Sequence, residues 1–159
     1  MRDLRKMWPW LAMALLVIVA DQASKAWVLA GFQYHETRPV SSFFNLVLVF
    51  NAGAAFSFLS DAGGWQKWFF VWLATAISAY LVWMLRQHAH ERLMPLALSL
   101  ILGGAIGNVM DRLRFDAVVD FLDFHWAGMH WPAFNVADSA ICVGVVLMLI
   151  HQFTVKDNT

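Results

Sequence analysis

The chain has 159 residues, of which 60% are hydrophobic and 14% are charged, and its mean hydropathy is +0.58. A soluble domain is about 45–50% apolar and about 25% charged, so this composition argues against a soluble globular protein. The formal net charge is zero, which gives no indication of nucleic-acid binding. The single cysteine, Cys142, excludes a disulfide within the chain.

Four apolar runs are long enough, or nearly long enough, to cross a bilayer, which takes about 20 residues each. We therefore predict a membrane protein, mainly α-helical, with four transmembrane helices and a small β-rich extramembrane element. Residues 1–159 are expected to form one membrane-embedded domain. The predicted spans cover about residues 8–30, 65–85, 93–110 and 133–153.

The first span carries an acid and a base on one helical face. Asp21 and Lys25 are four residues apart, in the acid-first order that favours an ion pair. Such a pair either fixes helix packing or supports a polar site, and in both cases it faces protein rather than lipid. Because these residues follow the apolar stretch at helical spacing, we expect a retained helix and not a cleaved secretory signal.

Residues 31–64 connect the first two spans and contain the predicted β element. The run from Phe43 to Phe50 is rich in β-formers and too short to span as a helix, so it predicts one or two strands at the membrane surface. The segment Asn51 to Ala55 (NAGAA) follows, and it forms either a tight turn or a wall for a bound peptide. Asp61 to Gly64 (DAGG) predicts a turn before the second span.

The segment around the third and fourth spans carries most of the remaining polar groups. Asn108, Asp111 and Arg112 can share one helical face, and Asn135 and Asp138 repeat the Asn-x-x-Asp spacing at the start of the fourth span. Acids and amides this close to membrane-length apolar runs are costly, and they are usually kept for function. In the third span, a G-x-x-x-G step also allows close helix contact.

Four spans put both termini on one side of the membrane. The distribution of Lys and Arg favours the inside for that side. The first span ends, the third ends and the fourth begins in the same leaflet. The polar groups of these spans should therefore converge at one membrane face, the outer one.

Asp120 and Asp138 are the candidate catalytic pair, and they can meet if the segment between them folds back. Two close carboxylates cannot both ionise easily, so one keeps a proton. Such a pair can hold a water, take its proton, and protonate the leaving amine of a peptide. Serine or cysteine catalysis is less well supported, because no histidine is spaced to activate Ser139 and a buried structural thiol is expected for Cys142.

Five motifs in order resemble bacterial lipoprotein signal peptidase, also called signal peptidase II. They are Asp21…Lys25, Asn51-x-Gly53-Ala54-Ala55, Gly107-Asn108-x-x-Asp111-Arg112, Val119-Asp120-Phe121 and Phe134-Asn135-x-Ala137-Asp138-Ser139. The resemblance covers nearly the whole chain, and the last two motifs together are highly specific. It implies that Asp120 and Asp138 are the catalytic dyad. The other polar positions of the family's site match Asp21, Lys25, Asn51, Asn108, Arg112 and Asn135.

The resemblance implies an intramembrane aspartic endopeptidase that removes the signal peptide from diacylglyceryl-modified prolipoproteins. Cleavage falls just before the lipid-modified cysteine. The implied location is the bacterial inner membrane, with several spans, both termini in the cytoplasm and the active site near the periplasmic face. Expected partners are prolipoprotein substrates, membrane lipid and globomycin-like cyclic peptide inhibitors, with no nucleic acid. We expect a monomer that uses no cofactor or metal.

Two alternatives from other classes are open at this point. A proton-coupled small membrane transporter would also bury acids and bases in its spans. Against it, the polar residues cluster at one membrane face and leave the second span almost without polar groups, so no path crosses the bilayer. A metal site is the other alternative, although its spacing matches no zinc motif. Its oxygen and nitrogen ligands would come from Asp120, Asp123, His125 and His130.

Overall fold

The computed structural model describes residues 2–53 and 64–156, which form four helices and one antiparallel sheet. The elements are, in chain order, α1 (Arg2–Gly31), β1 (Thr37–Pro39), β2 (Phe44–Asn51), α2 (Trp65–His88), α3 (Leu93–Phe115), β3 (Val118–Trp126), β4 (Met129–His130) and α4 (Val136–Lys156). Each helix is long and apolar enough to cross a membrane. The predicted fold class is therefore confirmed. Residues 54, 55 and 61–63 of two predicted motifs lie outside the described residues.

The helix bounds differ from the predicted spans at two functionally important ends. α3 continues past the predicted end near residue 110 to Phe115, so Asp111 and Arg112 are helical. α4 begins at Val136 and not near residue 133, because the backbone of Phe134 pairs with β3 instead. Phe134 N donates to Leu122 O at 3.1 Å, and Leu122 N donates to Phe134 O at 2.9 Å.

Helix α3 lies at the centre of the bundle and packs against α1, α2 and α4. Glycines on α3 permit this close packing, because a Cβ on Gly103 would lie 2.6 Å from the carbonyl oxygen of Ala14 on α1. A Cβ on Gly104 would collide with the carbonyl oxygen of Ala137 on α4. The absence of side chains at these positions therefore sets how near α1 and α4 approach α3.

The four strands are antiparallel and lie in the order β1-β2-β3-β4. The predicted strand near residues 43–50 is confirmed as β2, whereas β3 and β4 were predicted only as a segment that folds back. Asp120 on β3 pairs with Val49 on β2, next to a register irregularity. Its neighbours Val119 and Phe121 point into an apolar cluster with Val28 of α1, so strand alternation directs Asp120 to the opposite face.

Two apolar clusters enclose the polar region of the bundle. One holds Met7, Ala14, Leu81, Leu85 and Leu98, together with neighbouring side chains, and joins the N-terminal half of α1 to the end of α2 and the first half of α3. The other holds the apolar side chains of β2, β3 and the end of α1. The polar residues of α1 and α3 lie between these clusters along both helices, which explains how they are buried within membrane-spanning segments.

Candidate active site

The structure brings all eight predicted site residues into one hydrogen-bonded network at a single end of the bundle. They come from α1, β2, α3, β3 and the start of α4, namely Asp21, Lys25, Asn51, Asn108, Arg112, Asp120, Asn135 and Asp138. The predicted convergence of α1, α3 and α4 is therefore observed, with β2 and β3 joining from the sheet.

Asp120 is buried, with 2% of its surface exposed, and its two carboxyl oxygens accept hydrogen bonds from two asparagines. Asn135 Nδ2 donates to Oδ1 at 2.7 Å, and Asn51 Nδ2 donates to Oδ2 at 3.2 Å. Burial, and after it the negative charge of Asp138, raise the pKa of Asp120 to about 7. The two asparagine hydrogen bonds and the charge of Lys25 act in the opposite direction. Asp120 can therefore keep its proton near neutral pH.

Asp138 lies in the first turn of α4, where it forms a reciprocal cap with Asn135. Asn135 Oδ1 accepts the N–H of Asp138 at 2.8 Å, and Asp138 Oδ2 accepts the N–H of Asn135 at 3.3 Å. This is a capping box, in which the residues at the cap and three positions later satisfy each other's backbone donors. The other oxygen, Oδ1, accepts from Asn108 Nδ2 at 2.8 Å. The Asn-x-x-Asp spacing thus has a local structural cause.

Asn135 links the two acids, because its side chain contacts the carboxyl group of Asp120 and the backbone of Asp138. Its Nδ2 also lies 3.3 Å from Asn108 Oδ1, so the two asparagines that hold the acids contact each other. The arrangement places buried Asp120 and half-buried Asp138 in one site and orients each through a neutral amide. One protonated and one ionised carboxyl in such a site can work as general acid and general base.

Lys25 connects this pair to a second, fully buried group of charges. Its Nζ lies 2.8 Å from Asp21 Oδ2, 2.7 Å from Asp111 Oδ2 and 3.1 Å from Asn108 Oδ1. Sequence reasoning assigned Asp111 no site role, although it stands three residues after Asn108 in a quoted motif. Gln22 was missed entirely, and the only signal for it was an amide beside Asp21 in an apolar span.

The Asn51 segment forms the tight turn that was one of the two interpretations left open from the sequence. Asn51 Oδ1 accepts the N–H of Gly53 at 3.0 Å, which forms a tight Asx-type turn. At the same time the amide nitrogen of Asn51 reaches Asp120. Arg112 holds the other side of this turn by donating to Gly53 O at 2.9 Å, and its guanidinium lies 4.9 Å from the ring centre of Phe70.

The residues of the metal alternative are divided between two places. Asp123 pairs with His130 at 2.8 Å and accepts from Asn45 at 2.8 Å, whereas Asp120 belongs to the asparagine network. Burial acts to raise the pKa of Asp123, but the hydrogen bonds from Asn45 and His130 outweigh it and hold that pKa below its usual value. Within residues 2–53 and 64–156, no three His, Cys, Asp or Glu side chains are arranged to hold a metal ion.

Two other side chains weighed from the sequence lie on α4. Ser139 Oγ donates to the carbonyl oxygen of Asn135 at 2.9 Å, within its own helix. The expectation of a buried thiol at Cys142 is wrong, because Cys142 is exposed on the surface of α4. On a membrane-spanning helix an apolar thiol is compatible with a lipid-facing position.

Comparison with known sequences decides the family. The profile of Signal peptidase (SPase) II matches residues 13–154, which is most of the chain. The chain belongs to the signal peptidase II family. The predicted family and the peptidase class are therefore confirmed.

Curated relatives carry the name lipoprotein signal peptidase. The protein from Ralstonia nicotianae is 56% identical, and the match covers 91% of this chain and 83% of the relative. The protein from Cupriavidus necator is 58% identical over 90% and 82% of the two chains, and that from an Azoarcus species is 59% identical over 92% and 83%. These matches give no support to the transporter alternative.

Solved structures of bacterial membrane enzymes share the fold. One superposes with a TM-score of 0.86 at 31% identity, covering 95% of this chain and 91% of the other. A second has a TM-score of 0.79 at 32% identity, covering 91% and 92%. Together with the four apolar helices, they support a multi-pass membrane protein.

Proposed function

We propose that this protein removes the signal peptide from diacylglyceryl-modified prolipoproteins by aspartic acid–base catalysis at Asp120 and Asp138. The observation that carries the proposal is a pair of acids held by asparagines at one end of four apolar helices, one acid on β3 and one in the first turn of α4. Family membership supports the peptidase activity and the prolipoprotein substrate.

In the proposed reaction, the pair shares one proton before substrate is attacked. Asp138 lies at the N-terminus of α4, where the helix dipole favours a negative charge, so we assign the ionised carboxylate to it. Asp120, whose pKa is raised to about 7, holds the proton. Asp138 takes a proton from a water molecule, whose oxygen attacks the scissile carbonyl carbon. Asp120 then donates its proton to the leaving amine as the peptide bond breaks.

In this proposal, the supporting residues orient the two acids and the turn at Gly53 that lies beside Asp120. Asn51, Asn108 and Asn135 contact the acids directly, and Arg112 fixes the turn at Gly53. We assign them to orientation and hydrogen bonding and not to proton transfer. We assign residues 51–53, which lie beside Asp120, to the path of an extended peptide substrate.

A substrate anchored in the lipid surface fits a site at the end of membrane-spanning helices. A diacylglyceryl group on the cysteine would fix the scissile bond at a constant depth, and positioning of this kind lowers the barrier for a bimolecular step. We infer cleavage just before that cysteine. Globomycin-like cyclic peptides are expected to block the same site.

We also propose the orientation and organisation of the chain in its membrane. The Lys and Arg distribution favours cytoplasmic termini, and on that basis we infer that the acids lie near the periplasmic face of the bacterial inner membrane. The whole chain is expected to work as one peptidase domain and as a monomer.

The direct test is cleavage of a prolipoprotein by purified protein in lipid–detergent micelles without an ion gradient. The precursor with a diacylglyceryl cysteine should be cut, and Asp120→Asn and Asp138→Asn should each abolish measurable cleavage while remaining folded. The double variant should be no worse than either single variant, because groups that act as a unit are not additive. Substantial turnover by either folded variant would remove that acid from the proposed mechanism. Equal rates for the lipidated precursor and an unlipidated one would refute the lipid assignment.

A further inference from the structure

A buried charge cluster lies behind the two acids. We define it as Asp21, Gln22, Lys25 and Asp111; the three charged members are exposed by no more than 2%. The ammonium of Lys25 has three N–H donors, and three acceptors surround it, on Asp21, Asp111 and Asn108. Buried ion pairs contribute little net stability when compared with apolar packing, so stability alone does not account for this cluster.

The two carboxylates of the buried charge cluster hold two particular peptide groups. Asp111 Oδ2 accepts the N–H of Val119 at 3.1 Å, and Asp21 Oδ1 accepts the N–H of Ala137 at 2.9 Å. Val119 immediately precedes Asp120, and Ala137 immediately precedes Asp138. One carboxylate of the cluster therefore fixes the backbone directly before each of the two acids.

Gln22 joins the two carboxylates from the other side. Its Nε2 lies 2.9 Å from Asp111 Oδ1, 3.2 Å from Asp21 Oδ2 and 3.2 Å from the carbonyl oxygen of Gly107. Gly107 makes this approach feasible, because a Cβ there would lie 2.6 Å from Asp21 Oδ2. The distance between the carboxylates of α1 and α3 is thus set by Lys25, by Gln22 and by the missing side chain of Gly107.

We propose that Gln22 and Asp111 are positioning residues that, with Asp21 and Lys25, set the separation of the two acids through the peptide groups of Val119 and Ala137. The inference rests on the proposed function of Asp120 and Asp138. Neither Gln22 nor Asp111 transfers a proton or contacts the reacting atoms in this scheme. Loosening the buried charge cluster lets β3 and α4 move apart, and the geometry of the acid pair is lost.

The test compares Gln22→Ala and Asp111→Asn with the unchanged full-length protein in lipid–detergent micelles. The substrate is a synthetic lipobox peptide with a diacylglyceryl cysteine. Melting temperature, kcat, KM and the pH dependence of kcat/KM are measured for each. We expect kcat to fall on the order of 10- to 100-fold with KM nearly unchanged, since an error of about 1 Å in position has effects of this size.

The pH dependence separates positioning from simple weakening of the fold. The charged groups that face Asp120 are Asp138 from α4, Lys25 from α1 and Arg112 from α3. Gln22 is neutral, so Gln22→Ala leaves all of these charges in place. If the acids move apart, the charge of Asp138 acts less on Asp120, and the high-pH limb of the rate profile should move to lower pH.

Ser99→Ala is the matched control. Ser99 is a fully buried residue on α3 whose Oγ donates to Pro95 O at 2.6 Å, away from the buried charge cluster. This variant also loses a buried hydrogen bond, but its kcat and rate profile should equal those of the unchanged protein even if its melting temperature falls. A matching loss of kcat in Ser99→Ala would show that general destabilisation causes the effect and would overturn the inference.

Two further outcomes decide the proposal. A folded Gln22→Ala protein with unchanged kcat and an unchanged rate profile overturns the inference, and so does a change confined to KM. If Asp111→Asn does not fold, Gln22→Ala alone decides. Asp120→Asn is run in the same assay: if it stays active, the proposed function itself fails, whereas if it is inactive and Gln22→Ala is normal, only the positioning role fails.

Discussion

Asn135 and Asp138 satisfy each other's backbone N–H groups at the start of α4, while the side chain of Asn135 also holds the carboxyl of Asp120. One residue therefore starts a membrane-spanning helix and links the two acids. Its two roles can be separated, because a hydroxyl side chain can cap a helix but is too short to reach Asp120 as the amide does.

Asn135→Ala should remove both the helix cap and the contact with Asp120, whereas Asn135→Ser should keep the cap and remove only the contact. We expect Asn135→Ala to lose about 1 kcal/mol of stability from the cap alone, and Asn135→Ser to recover much of it. Both variants should cleave a lipidated precursor on the order of 100-fold more slowly, because Asp120 is no longer held in position. Thermal unfolding and initial rates, measured on the same samples, check this. Recovery of activity in Asn135→Ser would reduce Asn135 to a helix cap.

The raised pKa of Asp120 predicts how stability depends on pH. With a pKa of about 7 in the folded protein and an ordinary value of about 3.9 when unfolded, Asp120 binds more protons in the folded state between these values. Its contribution to stability is therefore fully present below about pH 4 and is lost as pH rises toward 7. Asp120→Asn removes this dependence. The melting temperature of the variant minus that of the unchanged protein should therefore increase from pH 5 to pH 8. A constant difference over that range would contradict the raised pKa.

The raised pKa of Asp120 also predicts how kcat/KM depends on pH at high pH. Because Asp120 must carry a proton to protonate the leaving amine, kcat/KM should decline above about pH 7, where that proton is lost. The decline belongs to the coupled pair and not to one residue alone. Initial rates measured from pH 5 to pH 9 at constant ionic strength check this decline. A rate that keeps rising to pH 9 would rule out Asp120 as the general acid.

Close packing of α3 against α4 predicts a stability cost at Gly104. A Cβ there collides with the carbonyl of Ala137, so Gly104→Ala should destabilise the protein by about 1–3 kcal/mol. Gly31→Ala is the control, because a Cβ at Gly31 meets nothing within 4 Å. The control should match the unchanged protein or slightly exceed it in melting temperature. Equal behaviour of the two variants would argue against the observed helix contact.

The exposed thiol on α4 predicts insensitivity to thiol chemistry. Cys142→Ala and treatment with a membrane-permeable maleimide should leave the rate unchanged, since Cys142 is exposed on the helix surface and has no part in the network around the acids. Incubation with a strong chelator should likewise have no effect. Loss of activity on chelation, restored by one added metal ion, would return the metal alternative.

Much of the site could be predicted from the sequence because charged and amide side chains are conspicuous in apolar runs. Asp120, Asp138 and the asparagines stood out for this reason, and helix periodicity placed Asn108 and Arg112 on one face. Gln22 did not stand out, because a neutral amide is unremarkable at the end of a span. Its role depends on contacts with α3, which are distant in the chain.

Strand β3 could not be predicted from its own pattern. Its sequence VVDFLDFHW mixes apolar and polar residues without strict alternation, so the local signal does not distinguish strand from loop. The strand forms because β2 offers an antiparallel partner and because Phe134 returns to pair with Leu122. The same long-range pairing explains why α4 starts later than its hydropathy suggested.

Asp120 lies on a sheet strand and Asp138 on a membrane-spanning helix, and the peptide groups that precede them are anchored to α1 and α3. On the proposed mechanism, no single element and no adjacent pair of elements carries a working site. A chain in which α4 has not yet docked lacks the contacts from α1 and α3 that hold Ala137 and Asp138 in place. On that mechanism we expect cleavage activity to begin only when α4, the last helix, has been inserted and docked against α1 and α3.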